Sequence, residues 1–418
     1  MGYQSVYTIL LRLFTALLLP VSVFHRKAAR MLKGRRESIQ RIRTWRNEHP
    51  QDKVFWFHAA SVGEFEQALP VMKLLKAENP DCRLAVSFFS PSGMEMRGNH
   101  ALADLTFYLP SDLPEKMDDL VHSLAPAALI LVKYEFWFNL LDSCRRAGIP
   151  AFSICCILRS QALKNPFLRS HLRHCLPLFT RLFIQNGETA RILKDFGLEH
   201  FQISGDTRVD RVLEIKENSA EIDWIPAWKE GHKLLIIGSA WVEDLVYLKD
   251  FIRHSVIEAD GLWRVLIVPH EIGDSHLQHL SSSLSLPCRF YSEWKENQDD
   301  CDILILDALG LLSRTYRYAD AAWIGGAFKT GLHNTLEAAV YGIPVGFGPA
   351  YSKFQEARDL IDIGVARSFP AGGIVWEFFQ ESTENEDHAQ QIRQAAAQYF
   401  QSQKGAADAI AGQILSLA

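Results

Sequence analysis

No CxxC pair occurs in this 418-residue sequence. Its seven cysteines (Cys82, Cys144, Cys155, Cys156, Cys175, Cys288 and Cys301) are odd in number and scattered through apolar stretches. That pattern excludes a disulfide framework and a zinc knuckle, and fits a reducing compartment. Neither GxGxxG nor GxxxxGK(S/T) is present, so ordinary dinucleotide and P-loop readings lose their main support. HExxH and GxSxG are missing too, which removes the usual signatures of a metallohydrolase and of a serine nucleophile. A net charge of −5 gives no global reason to bind nucleic acid. A mean hydropathy of −0.04 excludes a polytopic membrane protein. What is present is ordinary for a soluble globular chain: 48% apolar, 22% charged and 11% aromatic residues. At this length two domains are expected, and the chain reads as an enzyme.

The first residues stand apart. Tyr3 to Phe24 is apolar but interrupted by Arg12 and Pro20, and its uncharged run from Leu13 to Phe24 is shorter than the ~20 residues that span a bilayer. Arg26, Lys27, Arg30, Lys33, Arg35, Arg36, Arg41, Arg43 and Arg46 follow, opposed only by Glu37 and Glu48. A signal peptide has the reverse order, with charges first. An apolar helix followed by cations fits a monotopic or single-pass anchor held on the cytoplasmic side, each cation adding roughly 1 kcal/mol against anionic lipid. The alternative is an amphipathic helix packed on the body with a solvated basic face.

From Lys53 onward short apolar runs alternate with helical spacing. Val54–His58, Leu84–Phe89, Ala128–Lys133, Ala151–Ile157, Leu182–Gln185 and Phe201–Ser204 read as buried strands. A second series comprises Leu234–Gly238, Arg264–Pro269, Ile303–Leu306, Ala321–Gly325 and Pro344–Gly348. Continuous apolar strands separated by helices predict α/β architecture with parallel sheets covered on both faces. The expected organisation is an anchor and basic segment at 1–46, a Rossmann-like domain at 47–215, a linker at 216–232 around Pro226, and a second Rossmann-like domain at 233–418. Two such doubly wound domains are expected to face one another across a cleft, with ligands beyond the carboxyl ends of the strands.

The unusual residues sit where strands end. His58-Ala-Ala-Ser-Val-Gly-Glu64 follows the opening strand; Glu64 is either a first-turn carboxylate complementing the helix dipole or a general base. Lys133-Tyr-Glu135-Phe-Trp-Phe-Asn139 suits sugar stacking and hydroxyl recognition, although taken by itself it reads better as a helix start with core aromatics. In Ser204-Gly-Asp-Thr-Arg208-Val-Asp210, Arg208 could meet a phosphate or bridge Asp206 or Asp210. The richest segment runs from Gly325-Gly326 through Gly331, His333 and Asn334 to Glu337, opening a helix expected to reach Tyr341. Glycines and a helix N-terminus together make an anion cradle, while Asn334 with Glu337 also fits a capping box. The segment points to a nucleotide phosphate. Asp300-Cys301-Asp302 has the spacing of metal-dependent sugar transferases but precedes its strand, so a solvated strand entrance is the better reading and no metal is expected.

Taken in order and spacing, HAASVGE (58–64), EFWFN (135–139), GDTRVD (205–210), Gly238-Ser239, DALGL (307–311), Gly325-Gly326, GLHNTLE (331–337) and Gly346–Pro349 with Phe354 resemble the Kdo (3-deoxy-D-manno-octulosonic acid) transferases of lipopolysaccharide assembly, inverting glycosyltransferases of the GT-B fold. The resemblance runs to about residue 360. It implies Glu64 as the base that deprotonates the acceptor and Glu135 as a second carboxylate in the acceptor half. It places Arg208, Ser239, His270, Gly325, Gly326, His333, Asn334 and Glu337 around the CMP of CMP-Kdo, with Glu337 on ribose hydroxyls. The implied acceptor is the lipid A precursor (lipid IVA), reached from the cytoplasmic leaflet of the inner membrane, with no metal, cofactor or nucleic acid. One segment and three single positions depart from the family pattern: Val268-Pro269-His270-Glu271-Ile272 replaces an arginine-bearing VPRHPER-like segment, Arg208 stands for lysine, Asp206 for asparagine and Leu332 for a second glycine. The alternatives are another GT-B transferase or epimerase using a UDP-sugar, and a non-catalytic membrane-bound binding protein.

Overall fold

The computed structural model describes residues 3–24, 26–258, 262–284, 286–297, 300–329, 331–370 and 375–418. The stretch 18–28 of the expected anchor, with Arg26 and Lys27, lies outside the described side chains. The chain divides into two compact units, Met1–Arg211 with Gln403–Ala418, and Val212–Ser402.

Unit 1 holds strands β1 (Val54–Ala59), β2 (Arg83–Phe88), β3 (Leu105–Tyr108), β4 (Ala128–Val132), β5 (Ala151–Cys156), β6 (Arg181–Ile184) and β7 (Phe201–Ile203), in the order β3-β2-β1-β4-β5-β6-β7. Every pairing is parallel. Aromatic and β-branched side chains alternate across the sheet: Val54 and Trp56 enter one core, Phe55 and Phe57 the other. Such two-sided burial is why these strands read as unbroken apolar runs. The winding direction reverses between β1 and β4, where His58 lies opposite Leu131.

The helices α1 (Tyr3–Phe24) and α2 (Arg26–Glu48) belong to this unit. Residues 1–46 are therefore not a separate segment. Ile42 is fully buried in the core, and Ser38 Oγ donates to the Tyr108 carbonyl at 2.7 Å. Part of the basic face is tied to the body as well, through Arg30–Glu95 at 2.6 Å and Arg43–Asp119. No helix among the described residues is long and apolar enough to cross a membrane.

The last helix, Ala406–Leu417, also packs in unit 1 rather than in the second domain to which the sequence assigns it. Ala407, Ile410, Ala411 and Ile414, one helical face, join Phe65 and Leu69 of helix α3 (Val62–Glu78) in the core. Burying each isoleucine is worth roughly 1.5–3 kcal/mol. Asp210 fixes the entry by accepting from Gly405 N at 2.7 Å and Ala407 N at 2.8 Å. The predicted linker is shorter than expected: helix Thr207–Asn218 crosses the unit boundary, and Trp224–Lys229 is helical with Ile225 and Trp228 buried.

Unit 2 holds β8 (Lys233–Ala240), β9 (Trp263–Pro269), β10 (Arg289–Phe290), β11 (Ile303–Ile305), β12 (Ala321–Ile324), β13 (Val345–Phe347) and β14 (Ala366–Ser368), again all parallel, in the order β10-β11-β9-β8-β12-β13-β14. Its winding reverses between β8 and β12, where Ile324 lies opposite Gly238. In open α/β sheets the ligand crevice lies at such a reversal, beyond the carboxyl ends of the strands.

Candidate active site

In unit 1 the β1/β4 reversal gathers two carboxylates and a histidine. His58, fully buried at the end of β1, places Nε2 3.2 Å from Glu135 Oε2, and Trp137 Nε1 donates to the same oxygen at 2.6 Å. Trp56 Nε1 donates to Ser87 Oγ at 2.8 Å, and Ser87 Oγ lies 2.9 Å from His58 Nδ1. The Ser87 carbonyl oxygen lies 3.1 Å from the same Nδ1, so the His58 ring is held at both nitrogens, by Ser87 and by Glu135. Glu64, three residues beyond the N-cap Ser61, accepts from Ser61 N at 3.0 Å and completes a capping box. The structural role considered for it is therefore real, but it does not spend the whole carboxylate. Burial and then the neighbouring Glu135 charge push the Glu64 pKa up, with His58 and Lys133 opposing. A carboxylate raised in this way can hold a proton closer to neutrality than a free glutamate does.

Arg208 lies in unit 1, and its Nε and Nη2 bind Asp206 at 2.9 and 2.6 Å. Burial alone would raise the Asp206 carboxyl, but Arg208, with Lys133 and Gln67, holds it at about 2. Gln67 Nε2 and Gln185 Nε2 donate to the two Asp206 oxygens at 3.0 and 2.9 Å. Of the roles open to Arg208, the bridge to Asp206 is the one its geometry displays.

The β8/β12 reversal of unit 2 builds a second site. Ser239 takes φ 51, and Gly326 φ 93, in the left-handed region. A Cβ on Gly325 would stand 2.3 Å from the Ser239 carbonyl oxygen, and one on Gly326 2.4 Å from that of Gly331, so both glycines are demanded by close backbone approach. The fully buried Asp244, which sequence reasoning missed, organises the turn. Its Oδ2 accepts from Gly326 N at 3.0 Å and Trp241 N at 3.1 Å, and its Oδ1 from Trp323 Nε1 at 3.1 Å. A Trp-x-x-Asp cap directly after a strand was the one local signal available.

His270, at the end of β9, stacks between Trp241 (centroids 4.8 Å apart) and His333 (4.4 Å). Trp241 Nε1 donates to His333 Nε2 at 3.2 Å, so the ring hydrogen of His333 sits on Nδ1. Burial, then His270, lowers the His333 pKa to about 4, and burial lowers that of His270. At neutral pH these rings offer N–H groups and flat faces rather than charge. Asn334 and Glu337 bind each other, Nδ2 to Oε1 at 3.0 Å, and Asn334 Oδ1 accepts from Leu336 N at 3.2 Å. The helix they open is only Leu336–Ala339, ended by Gly342 at φ 73, so the long helix to Tyr341 and its dipole are not there. Among the described residues no three His, Cys, Asp or Glu side chains gather as metal ligands. Asp300 instead pairs with Arg264 at 2.8 Å.

The family model for 3-deoxy-D-manno-octulosonic-acid transferase (kdotransferase) matches residues 33–211. A 3-deoxy-D-manno-octulosonic acid transferase of Chlamydophila psittaci is 28% identical over 77% of this chain and 76% of its own length. One from Chlamydia muridarum is also 28% identical, over 76% of this chain and 77% of its own length. Over these stretches the chain is similar to the Kdo transferases. Among solved structures, UDP-GlcNAc 2-epimerase from Neisseria meningitidis superposes with a TM-score of 0.62, 12% identity, and coverage of 88% of this chain and 100% of that one. That likeness describes the fold, two parallel α/β sheets of the GT-B kind. Within the Kdo transferase family match fall His58, Glu64, Glu135, Asp206 and Arg208; Ser239, His270, Gly325, Gly326, His333, Asn334 and Glu337 lie beyond it, in unit 2.

Proposed function

We propose that this protein is a Kdo transferase, an inverting glycosyltransferase that moves Kdo from CMP-Kdo to a hydroxyl of the lipid A precursor in lipopolysaccharide core synthesis. The observation that carries this reading is the Glu64, Glu135 and His58 cluster at the strand reversal of unit 1, inside the segment that the family model matches. In the reaction, the acceptor oxygen forms a bond to the anomeric carbon of Kdo on the face opposite CMP. The bond from that carbon to the phosphate oxygen breaks, and CMP leaves with the electron pair. Glu64 takes the hydroxyl proton, and the burial that raises its pKa makes it a stronger base than a free carboxylate. Glu135, oriented by His58 and Trp137, holds an acceptor hydroxyl. One displacement inverts the anomeric configuration, and the charge spread over an oxocarbenium-like centre calls for no metal.

The donor belongs to unit 2. The turn at Ser239, Gly325 and Gly326 lets the leaving phosphate approach the backbone closely, and the Nδ1–H of His333 gives it a hydrogen bond that stabilises its charge. Trp241 and His270 offer flat faces to the base, and Glu337 accepts from ribose hydroxyls.

The acceptor is a lipid, and α1 presents an apolar face to meet it. Val6, Ile9, Leu10, Leu13 and Leu17 follow helical spacing and are exposed, Leu10 by 60% and Leu17 by 69%. We place this face in the interface of the cytoplasmic leaflet of the inner membrane, lying on it rather than spanning it. The test of the function is direct: protein incubated with CMP-Kdo and lipid A precursor should release CMP and add Kdo mass to the lipid. No added mass, or equal transfer from a UDP-sugar, refutes the reading.

A further inference from the structure

We infer that the polar face of α1 is a positioning element of the acceptor site, holding the Glu135–Asn139 segment, and through it the Glu135 carboxylate, in register. The inference deepens the acceptor-side role proposed for Glu135 and rests on it.

The segment has little structure of its own. The chain turns sharply after β4, with Lys133 at φ 67, and residues 135–137 lie in neither helix nor strand before helix Phe138–Arg146 begins. The backbone groups of such a stretch must be satisfied from elsewhere. The Phe136 carbonyl accepts from His171 Nε2 at 2.8 Å. A carbonyl can only accept, so the His171 hydrogen is on Nε2, and Nδ1 is left as an acceptor. Burial lowers the His171 pKa and keeps the ring neutral. The Tyr3 hydroxyl of α1 donates to that Nδ1, while the Tyr3 ring stacks on His174 at 3.8 Å and meets Phe138 edge-on at 5.0 Å. A relay thus runs from Tyr3 through His171 to the peptide next to Glu135.

The other end of the segment is held from the same helix. Asp112, almost fully buried, caps helix Phe138–Arg146 by accepting from Asn139 N at 3.1 Å and Leu140 N at 2.8 Å. Tyr7 of α1 donates to that carboxylate at 2.8 Å, and Gln4 Nε2 donates to Asn139 Oδ1 at 3.3 Å. Residues 3, 4 and 7 form one stripe of α1, flanking its exposed apolar residues. Between the two held points lies Trp137, whose indole fixes Glu135 Oε2. A helix serving only as an anchor needs no hydrogen bonds toward the loop that carries a site residue; this one bonds Asn139 directly and reaches the segment through His171 and Asp112 as well.

The experiment uses the full chain in detergent micelles that also carry lipid A precursor, so that vesicle binding plays no part. Tyr3→Phe and His171→Ala should lower kcat by about 10-fold, as expected when a positioned group slips by a fraction of an ångström. KM for CMP-Kdo should not change, and Tm should stay within about 4 °C. His171→Gln, whose amide can give a hydrogen to Phe136 O and accept one from Tyr3, should restore most of the loss. Arg12→Met, a change on α1 that removes an exposed pair with Glu115 of helix Pro114–Leu124, should leave kcat unchanged. Amide hydrogen exchange over 134–140 should quicken in His171→Ala and not in Arg12→Met, a readout that does not depend on transfer. Unchanged exchange in His171→Ala overturns the inference whether or not the protein transfers Kdo. So does unchanged kcat, or a His171→Gln variant as impaired as His171→Ala. If the unsubstituted protein transfers nothing while exchange responds as described, it is the proposed function that fails, and with it the catalytic purpose of the relay.

Discussion

Asp244 offers the sharpest test of how the unit 2 site is built. It accepts three hydrogen bonds, from Gly326 N, Trp241 N and Trp323 Nε1, while fully buried. Burial raises its pKa despite those donors, so the folded protein binds this proton more tightly than the unfolded chain. The stability from this group is therefore fully present below the unfolded carboxyl pKa and declines as pH rises through the folded value. Asp244→Asn removes that charge but turns an acceptor into a donor. If the amide oxygen keeps the two backbone N–H groups, its NH2 confronts Trp323 Nε1–H. One buried donor left unmet costs about 1–3 kcal/mol, part of which the lost charge offsets. Asp244→Ala orphans all three donors and should cost about 3–5 kcal/mol. Urea unfolding at pH 7 should rank native above Asp244→Asn above Asp244→Ala with the same slope, and calorimetric titration with CMP should weaken in the same order. An Asp244→Ala protein within about 0.5 kcal/mol of native would refute the reasoning, because that is the range of an ordinary surface change.

Three further outcomes follow from the same geometry. Gly325→Ala forces a methyl against the Ser239 carbonyl and the Asp244 carboxylate, so it should cost about 1–3 kcal/mol and abolish measurable CMP binding; unaltered titration would show the close approach to be irrelevant. Asp206 sits at about 2, so its contribution is present above the unfolded carboxyl pKa and is lost as pH falls toward 2; Arg208→Met should destabilise by about 3 kcal/mol at pH 7 and flatten the acid limb of a urea series. If Arg208→Met instead kept native stability and lost only CMP affinity, the donor role would be the correct one. Leu10→Ser with Leu13→Ser should release the protein from anionic vesicles in a flotation assay, and undiminished flotation would reject the interfacial placement of α1.

The long strands were legible because burial on both faces writes continuous apolar runs, as in Val54–Ala59 and Lys233–Ala240. Three strands escaped: β3, β10 and β14 are short, and β10 and β14 lie at sheet edges, as does β3, so none carries such a run. The return of helix Ala406–Leu417 to unit 1 was illegible because its spacing announces a buried face without saying what buries it. At the sites, Glu64, Glu135, Gly325 and Gly326 were readable from residue type after a strand. Asp244 was not: an acid in a first helical turn ordinarily complements the dipole, and its bond to Gly326 joins positions far apart in sequence. Arg208 illustrates the converse, a residue whose two roles look alike in sequence and are separated only by the 2.6 Å contact to Asp206.

The central claim is that Glu64 removes the acceptor proton. Glu64→Gln keeps the side-chain oxygen that caps Ser61 N and removes the ionisation that burial opposes, so the variant should fold at least as well as native at pH 7. With CMP-Kdo and lipid A precursor, its kcat should fall by roughly 10²-fold or more while CMP affinity is retained. Turnover at the native rate by a folded, CMP-binding Glu64→Gln protein would contradict the account.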